Sequence, residues 1–122
     1  MKVLLGIGGS DDSLEALSRT VERAVEAGDA LTIAILDNPE SERSPAEVEA
    51  AVEAVLADAD LEATVCRVTG DPGSELVALA EREEFDELVL GGGMRSPMGK
   101  IRLGHIAEFV LLNSRVTVTL VR

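Results

Sequence analysis

The stretch VLLGIGGSDDSLEALSRTVERAVEAGDALTIAIL, Val3–Leu36, decides the fold. Its two ends, Val3–Ile7 and Leu31–Leu36, are short apolar runs of the kind that form buried strands. Gly8–Ser13 offers a turn with several helix-capping side chains, and Gly28 stands where a helix ends. Between them, apolar side chains recur at the spacing of one helix face, at Leu14, Leu17, Val21, Ala24 and Val25. The stretch therefore predicts a strand, a helix and a second strand.

The same alternation of short strands and helices continues to the end of the chain. Pro45 is typical of a first helical position, with Ser44 as its cap, and the polar segment 37–44 is a loop. Residues 62–69 alternate in polarity, which predicts a strand exposed on one side at a sheet edge. The remaining elements are a helix after Gly70–Ser74, a strand Leu88–Leu90, a helix from about Gly104 to Asn113 and a strand Val116–Val121. This βαβαβαβαβ order favours one α/β domain, residues 1–122, with a five-stranded parallel sheet and helices on both faces.

The chain carries 23 acidic and 11 basic side chains, a net charge of −12. Because nucleic acids bind to basic faces, this charge argues against a nucleic-acid partner. Only Lys2 and Lys100 are lysines, against nine arginines. Two interpretations stay open: an ordinary acidic protein, or a halophilic protein whose carboxylates keep it soluble in molar salt, where the Debye length is about 3 Å. We favour the halophilic interpretation.

Several classes of site and location are excluded by composition. No apolar run approaches the roughly 18 to 20 residues that a membrane span needs, and Gly and Asp interrupt the N-terminal run too early for a signal peptide. These features predict a cytoplasmic protein without a membrane partner. With one cysteine, Cys66, and one histidine, His105, the chain has neither an internal disulfide nor a His-rich metal site. We find no nucleophile–base pair or metal cluster, and we therefore expect no catalytic residues.

The segment Val89–His105 contains no acidic residue, although residues 1–87 hold 22 acidic and six basic side chains. It combines three consecutive glycines with Arg95, Lys100 and Arg102, and it leads into a helix start at Gly104. Exposed backbone N–H groups, a helix N-terminus and cations together suit a phosphate chain. The alternative is a tight turn and a loop with solvated basic side chains. The spacing matches neither a Walker loop nor a Gly-x-Gly-x-x-Gly fingerprint.

In parallel sheets, ligands bind beyond the carboxyl ends of the strands, where the strand order reverses. The turn after the first strand, Gly8–Ser13, and the loop after the fourth, Gly91–Leu103, would both lie there. The sequence therefore predicts a ligand site that these two segments build together.

The chain resembles the universal stress protein family along essentially its whole length. The resemblance is carried by Gly9–Ser13 after the first strand, Gly70–Pro72 before the third helix, Phe85–Gly91 and Val116–Val121. It implies a Rossmann-like sheet of the adenine nucleotide alpha hydrolase-like type, with strand order 3-2-1-4-5, and a role in the stress response. It also implies a homodimer in which the last strands pair antiparallel through Val116, Val118 and Leu120.

Nucleotide-binding members of this family carry Gly-x-x-Gly, nine further residues, and Gly followed by Ser or Thr. Gly91 and Gly104 match the first and third motif positions, whereas Met94 and His105 replace the second glycine and the hydroxyl residue. Gly8 stands where the family often has an aspartate that contacts the adenosine. Losing three contacts at roughly 1 kcal/mol each would weaken nucleotide binding about a hundredfold.

The resemblance implies an adenine-nucleotide site for ATP or AMP, with Mg²⁺ bound only together with the nucleotide. The base would lie between Ile7, Gly8 and Ile35. The phosphates would lie on Gly91, Gly92, Gly93, Ser96, Gly104, His105, Ile106 and Ala107, with Arg95, Lys100 and Arg102 adding positive charge. Any ATP hydrolysis would be slow. The alternative function is a nucleotide-free dimeric module that binds an unknown protein partner.

Overall fold

The computed structural model describes residues 1–39, 41, 43–91, 94, 95, 101, 102 and 104–121, of which 94, 95, 101 and 102 are described by their backbone only. These residues form four helices and seven strands. In chain order they are β1 (Lys2–Ile7), α1 (Asp11–Ala27), β2 (Ala30–Leu36), α2 (Pro45–Ala59), β3 (Thr64–Val68), α3 (Pro72–Arg82), β4 (Glu87–Gly91), β5 (Met94–Arg95), β6 (Ile101–Arg102), α4 (His105–Asn113) and β7 (Thr117–Val121).

Five of the strands form one parallel sheet in the order β3-β2-β1-β4-β7. The predicted α/β fold and the order 3-2-1-4-5 are confirmed. Side chains along β1 alternate between the two faces of the sheet, so each face has its own apolar core. Leu5 packs with α1 and α2 on one face, and Leu4 packs with α3 and α4 on the other.

The helix ends follow the local signals of the sequence. Ser44 accepts a hydrogen bond from the Glu47 backbone N–H at 3.2 Å, and the Glu47 side chain accepts one from the Ser44 N–H at 3.2 Å. This reciprocal capping box starts α2 at Pro45. Gly28 ends α1 with a φ of 72°, in the left-handed region that glycine adopts at little cost.

The sequence predicts a loop between β4 and α4, but part of this segment forms two short strands. β5 and β6 pair antiparallel, with Met94 opposite Arg102 and Arg95 opposite Ile101. Each of these strands has only two residues, which is too few to form a polarity pattern. The sequence therefore did not indicate β5 and β6. The predictions for Gly92, Gly93, Ser96 and Lys100, and for the side chains of Arg95 and Arg102, lie outside the described residues.

The two edges of the five-stranded sheet are β3 and β7. The prediction of an edge strand near residues 62–69 is confirmed by β3. On β7, Val118 and Leu120 pack against the core under α3 and α4, as does Val116 just before it. The backbone edge of β7 that faces away from β4 has no strand beside it among the described residues. No helix in this described part is long and apolar enough to cross a membrane.

Candidate functional site

A cleft of about 1130 Å³ lies at the carboxyl edge of the sheet, where the strand order reverses between β1 and β4. This is the position at which parallel sheets bind ligands. The described residues lining it are Gly6, Gly8, Gly9, Ser10, Asp11, Asp12, Ser13, Leu36, Asn38, Pro39, Ser41, Arg43, Asp71, Pro72, Gly73, Leu90, Gly91, Gly104, His105, Ile106, Ala107 and Phe109. The turn after β1 and the end of β4 both contribute to the walls. The segment after β2 and the starts of α1, α3 and α4 complete them.

The N-terminus of α4 opens onto the cleft without a side-chain cap. The caps of the other three helices, Ser10, Ser44 and Asp71, each accept a hydrogen bond from a backbone N–H of the first turn. Gly104 makes no such bond, and a Cβ built on it would meet no described atom within 4 Å. The first N–H groups of a helix lack intrahelical partners, and the helix dipole favours an anion there. The start of α4 is therefore suited to a phosphate.

Six of the predicted site residues line this cleft together: Gly8, Gly91, Gly104, His105, Ile106 and Ala107. His105 is the exposed first residue of α4, and Ala107 is buried in its first turn. The imidazole therefore stands beside the open helix start, where it can donate to an anion.

Close packing against the backbone of α1 requires a glycine at position 91. A Cβ on Gly91 would stand 2.5 Å from the backbone carbonyl of Asp12 and from the backbone nitrogen of Ser13. The end of β4 thus touches the first turn of α1 directly. This contact joins the two strand ends that border the cleft, and it leaves no room for a side chain.

The side chains of Ile7 and Ile35 do not line the cleft. Both are buried in the core beneath α1 and α2. Successive strand residues point to opposite faces, so the neighbours Gly6 and Leu36 line the cleft instead. Of the three residues predicted to enclose the base, the structure brings only Gly8 to the cleft wall.

Two side chains after β2, which no sequence pattern indicated, reach across to the turn after β1. Asn38 Nδ2 donates to the Gly8 carbonyl at 3.2 Å. Arg43 Nη1 donates to the Gly9 carbonyl at 2.8 Å, and Nη2 donates to Asp11 Oδ1 at 2.8 Å. The signal that could have found Arg43 is its position, since it is the one basic residue in the polar segment 37–44.

Three carboxylates, Asp11, Asp12 and Asp71, line the cleft. Hydrogen bonds from the Ser74 side chain and backbone N–H lower the pKa of the Asp71 carboxyl from its ordinary value. Asp71 is therefore ionised at neutral pH. Because like charges repel, these groups oppose an anionic ligand unless nearby cations offset them.

A sequence model of the universal stress protein family matches residues 1–122. The chain belongs to the universal stress protein family. A comparison with proteins of curated function gave no match.

Solved universal stress proteins are similar to this chain over essentially its full length. One from Archaeoglobus fulgidus is 18% identical, with 100% of this chain and 98% of that one covered and a TM-score of 0.78. One in complex with cAMP is 26% identical, with 100% and 96% covered and a TM-score of 0.73. One from Arabidopsis thaliana with AMP bound is 17% identical, with 99% and 90% covered and a TM-score of 0.70.

The described residues offer little for metal or thiol chemistry. No group of three or more His, Cys, Asp or Glu side chains among them is arranged to hold a metal ion. Cys66 is half-buried on β3, where burial raises the pKa of its thiol, and it does not line the cleft with His105. What this arrangement can do is bind an anion at the start of α4.

Proposed function

We propose that this universal stress protein binds an adenine nucleotide, ATP or AMP, weakly. The uncapped start of α4, open to a cleft where the strand order reverses, is the observation that carries this proposal. The phosphates would contact the backbone N–H groups that follow Gly104. Relatives of the same fold that have been solved with cAMP and with AMP support adenine as the base.

The rest of the nucleotide would extend from α4 towards the turn after β1. Leu36, Leu90 and Gly8 line the cleft on that side, and the base would lie against them. Arg95, Lys100 and Arg102, in the segment between β4 and α4, would add positive charge near the phosphates. Mg²⁺ would arrive only with the nucleotide.

Weak binding is expected for two reasons. Met94 and His105 depart from the family motif, and Gly8 lacks a carboxylate acceptor. In addition, Asp11, Asp12 and Asp71 raise the electrostatic cost of bringing phosphates into the cleft.

The test is the thermal midpoint in high salt, with and without a few millimolar Mg-ATP. A ligand that binds only the folded chain stabilises it by RT ln(1 + [L]/Kd), about 1.4 kcal/mol at ten times Kd. For a domain of this size, that raises the midpoint by several degrees. The same concentration of Mg²⁺ with inorganic triphosphate separates the contribution of the base. An unchanged thermal midpoint with Mg-ATP would contradict the proposal that the chain binds a nucleotide.

The double variant Met94→Gly, His105→Ser is expected to bind ATP about tenfold more tightly than the original chain. It restores two of the family's contacts at roughly 1 kcal/mol each, less what the imidazole contributes. Isothermal titration of both proteins in the same salt measures the difference. Equal Kd values would show that these two departures are not what weakens binding.

A second candidate is a nucleotide-free module that binds another protein. Its support is the surface of α4, where Phe109 and Leu112 lie one turn apart on the same side and are 37% and 76% exposed. Exposed apolar side chains near one another are typical of interaction surfaces. The absence of any Mg-ATP effect on the midpoint would favour this second function.

We also propose a homodimer formed by antiparallel pairing of β7 with its counterpart in a second copy. The support is the outer edge of β7, whose backbone lies at the end of the sheet. Sedimentation equilibrium should give twice the chain mass for the original protein, and a monomer at all concentrations would contradict the proposal.

A further inference from the structure

His105 is the only histidine of the chain, and it stands at the open start of α4. It is exposed and lines the cleft, and no hydrogen bond or ion pair with a described residue holds its imidazole. Because the Cα–Cβ bonds of a helix tilt towards its N-terminus, the side chain of a first helical residue projects towards the open end. The imidazole therefore lies at the same end of α4 as the backbone N–H groups to which the proposed function assigns the phosphates.

A packing contact fixes the side of α4 on which His105 lies. Phe109 follows His105 by four residues, so the two side chains share one face of the helix. A Cβ on Gly73 would stand 2.9 Å from Phe109 Cδ1, so this face is turned to the start of α3. Asp71 caps α3 and lines the cleft, and Glu75 follows in the first turn of α3. The imidazole is therefore on the flank of the cleft that carries the acidic start of α3.

Acidic groups and the helix dipole act on the imidazole in opposite directions in the empty site. Asp11, Asp12 and Asp71 line the cleft, and Glu108 lies in the first turn of α4. Negative charges favour a protonated imidazole, whereas the partial positive charge at a helix start disfavours it. Carboxyl groups in general titrate well below the range in which an imidazole does, and bonds with Ser74 lower the pKa of Asp71 further.

The positive charges around α4 do not titrate in that range either. Arg43 lies at the turn after β1. The segment between β4 and α4 contains Arg95, Lys100 and Arg102, whose side chains lie outside the described residues. Guanidinium and ammonium groups in general lose their protons well above neutral pH, and β7, which packs on α4, has no charged residue. Of the described residues that line the cleft, His105 is thus the one whose side chain titrates near neutral pH.

Taken with the proposed function, on which this inference rests, we propose that His105 couples nucleotide binding to pH. Phosphates bring negative charge to the start of α4, so they favour the protonated imidazole over the neutral one. The protonated ring carries a charge and donates from both nitrogens, whereas the neutral ring donates from one. Binding therefore takes up a proton, and by linkage the affinity for phosphate-bearing nucleotides rises as the pH falls. Adenosine has no phosphate, so its affinity does not follow the pH.

The test measures Kd for Mg-ATP and for adenosine by isothermal titration between about pH 5.5 and about pH 8, on either side of the imidazole range. It compares the original chain with His105→Gln in the same salt. Glutamine keeps a side-chain donor but does not titrate. The original chain should bind Mg-ATP about five- to tenfold more tightly at the lower pH, beyond any change seen in His105→Gln. Because both proteins meet the same ligand, the titration of ATP itself cancels in this comparison.

A second measurement counts the protons that binding takes up. Titrations at neutral pH in two buffers of different protonation enthalpy should show that Mg-ATP takes up roughly half a proton more with the original chain than with His105→Gln. Adenosine should show no such difference. Thermal midpoints of the two proteins at each pH should agree, because the imidazole is exposed and holds no described partner.

The possible outcomes separate this inference from the proposed function. An equal pH dependence of Mg-ATP binding in the two proteins would overturn the role of His105 and leave nucleotide binding standing. A pH dependence for adenosine as large as that for Mg-ATP would also overturn it, because the titrating group would then not act on the phosphates. If neither ligand bound at any pH, the proposed function would be wrong, and the inference about His105 with it.

Discussion

The Gly91→Ala variant is expected to lose about 3 kcal/mol or more of its free energy of unfolding. The added Cβ would stand 2.5 Å from the backbone of Asp12 and Ser13. Backbone atoms in the first turn of α1 cannot rotate away as a side chain can, so either β4 or α1 must shift. A loss of this size is a large part of the 5 to 15 kcal/mol that stabilises a typical domain, and it corresponds to roughly 10 °C in the thermal midpoint.

Chemical denaturation of Gly91→Ala and of a matched variant, Gly104→Ala, measures this effect. At Gly104 a Cβ would meet no described atom within 4 Å, and the φ of −68° suits any residue. That variant should therefore change stability by less than about 1 kcal/mol. If Gly91→Ala were as stable as Gly104→Ala, the contact between β4 and α1 would not be the reason for a glycine at 91.

The expected instability also bears on how the family motif is tested. Gly91 is the first glycine of that motif, and its replacement would abolish nucleotide binding simply by disturbing α1 and β4. Loss of binding in a Gly91 variant is thus weak support for a phosphate contact. Gly104 is the informative position, because a Cβ there would meet no described atom within 4 Å.

The elements of the fold were predictable because their signals are local. Pro45 after Ser44 and the glycine at 28 mark helix ends by backbone chemistry that acts within a few residues. The order of strands is not local, and the resemblance to the family supplied it. The β5–β6 pair lies in a segment that was predicted as a loop. Its strands are too short to show the alternation of polarity by which a strand is recognised in a sequence.

The site was less predictable, because its walls come from side chains that only the fold brings together. Ile7 and Ile35 lie at the carboxyl ends of β1 and β2, the ends that border the cleft. Because side chains alternate along a strand, both point into the core. Their sequence neighbours Gly6 and Leu36 line the cleft instead. Arg43 meets Gly9 across 34 residues of chain, which no local pattern indicates. The assignments of Gly92, Gly93, Ser96 and Lys100 to the phosphates stay predictions.

The Gly104→Asp variant is expected to weaken ATP binding by about a hundredfold or more while making the fold slightly more stable. An aspartate at the N-cap of α4 would accept from the same N–H groups that the proposal assigns to the phosphates. Its charge would also lie about 5 Å from a phosphate, where two like charges repel by about 3 kcal/mol at an effective dielectric constant of about 20.

The two effects have opposite signs, and this makes the experiment decisive. A better cap and a favourable charge at the helix N-terminus should raise the free energy of unfolding by a few tenths of a kcal/mol. Lost binding could then not be attributed to unfolding. Gly104→Asn is the matched control, since it caps the helix with nearly the same shape but without the charge, and it should weaken ATP about tenfold. If ATP bound all three proteins equally, its phosphates would not lie at the start of α4, and the cleft would have to hold the nucleotide by another surface.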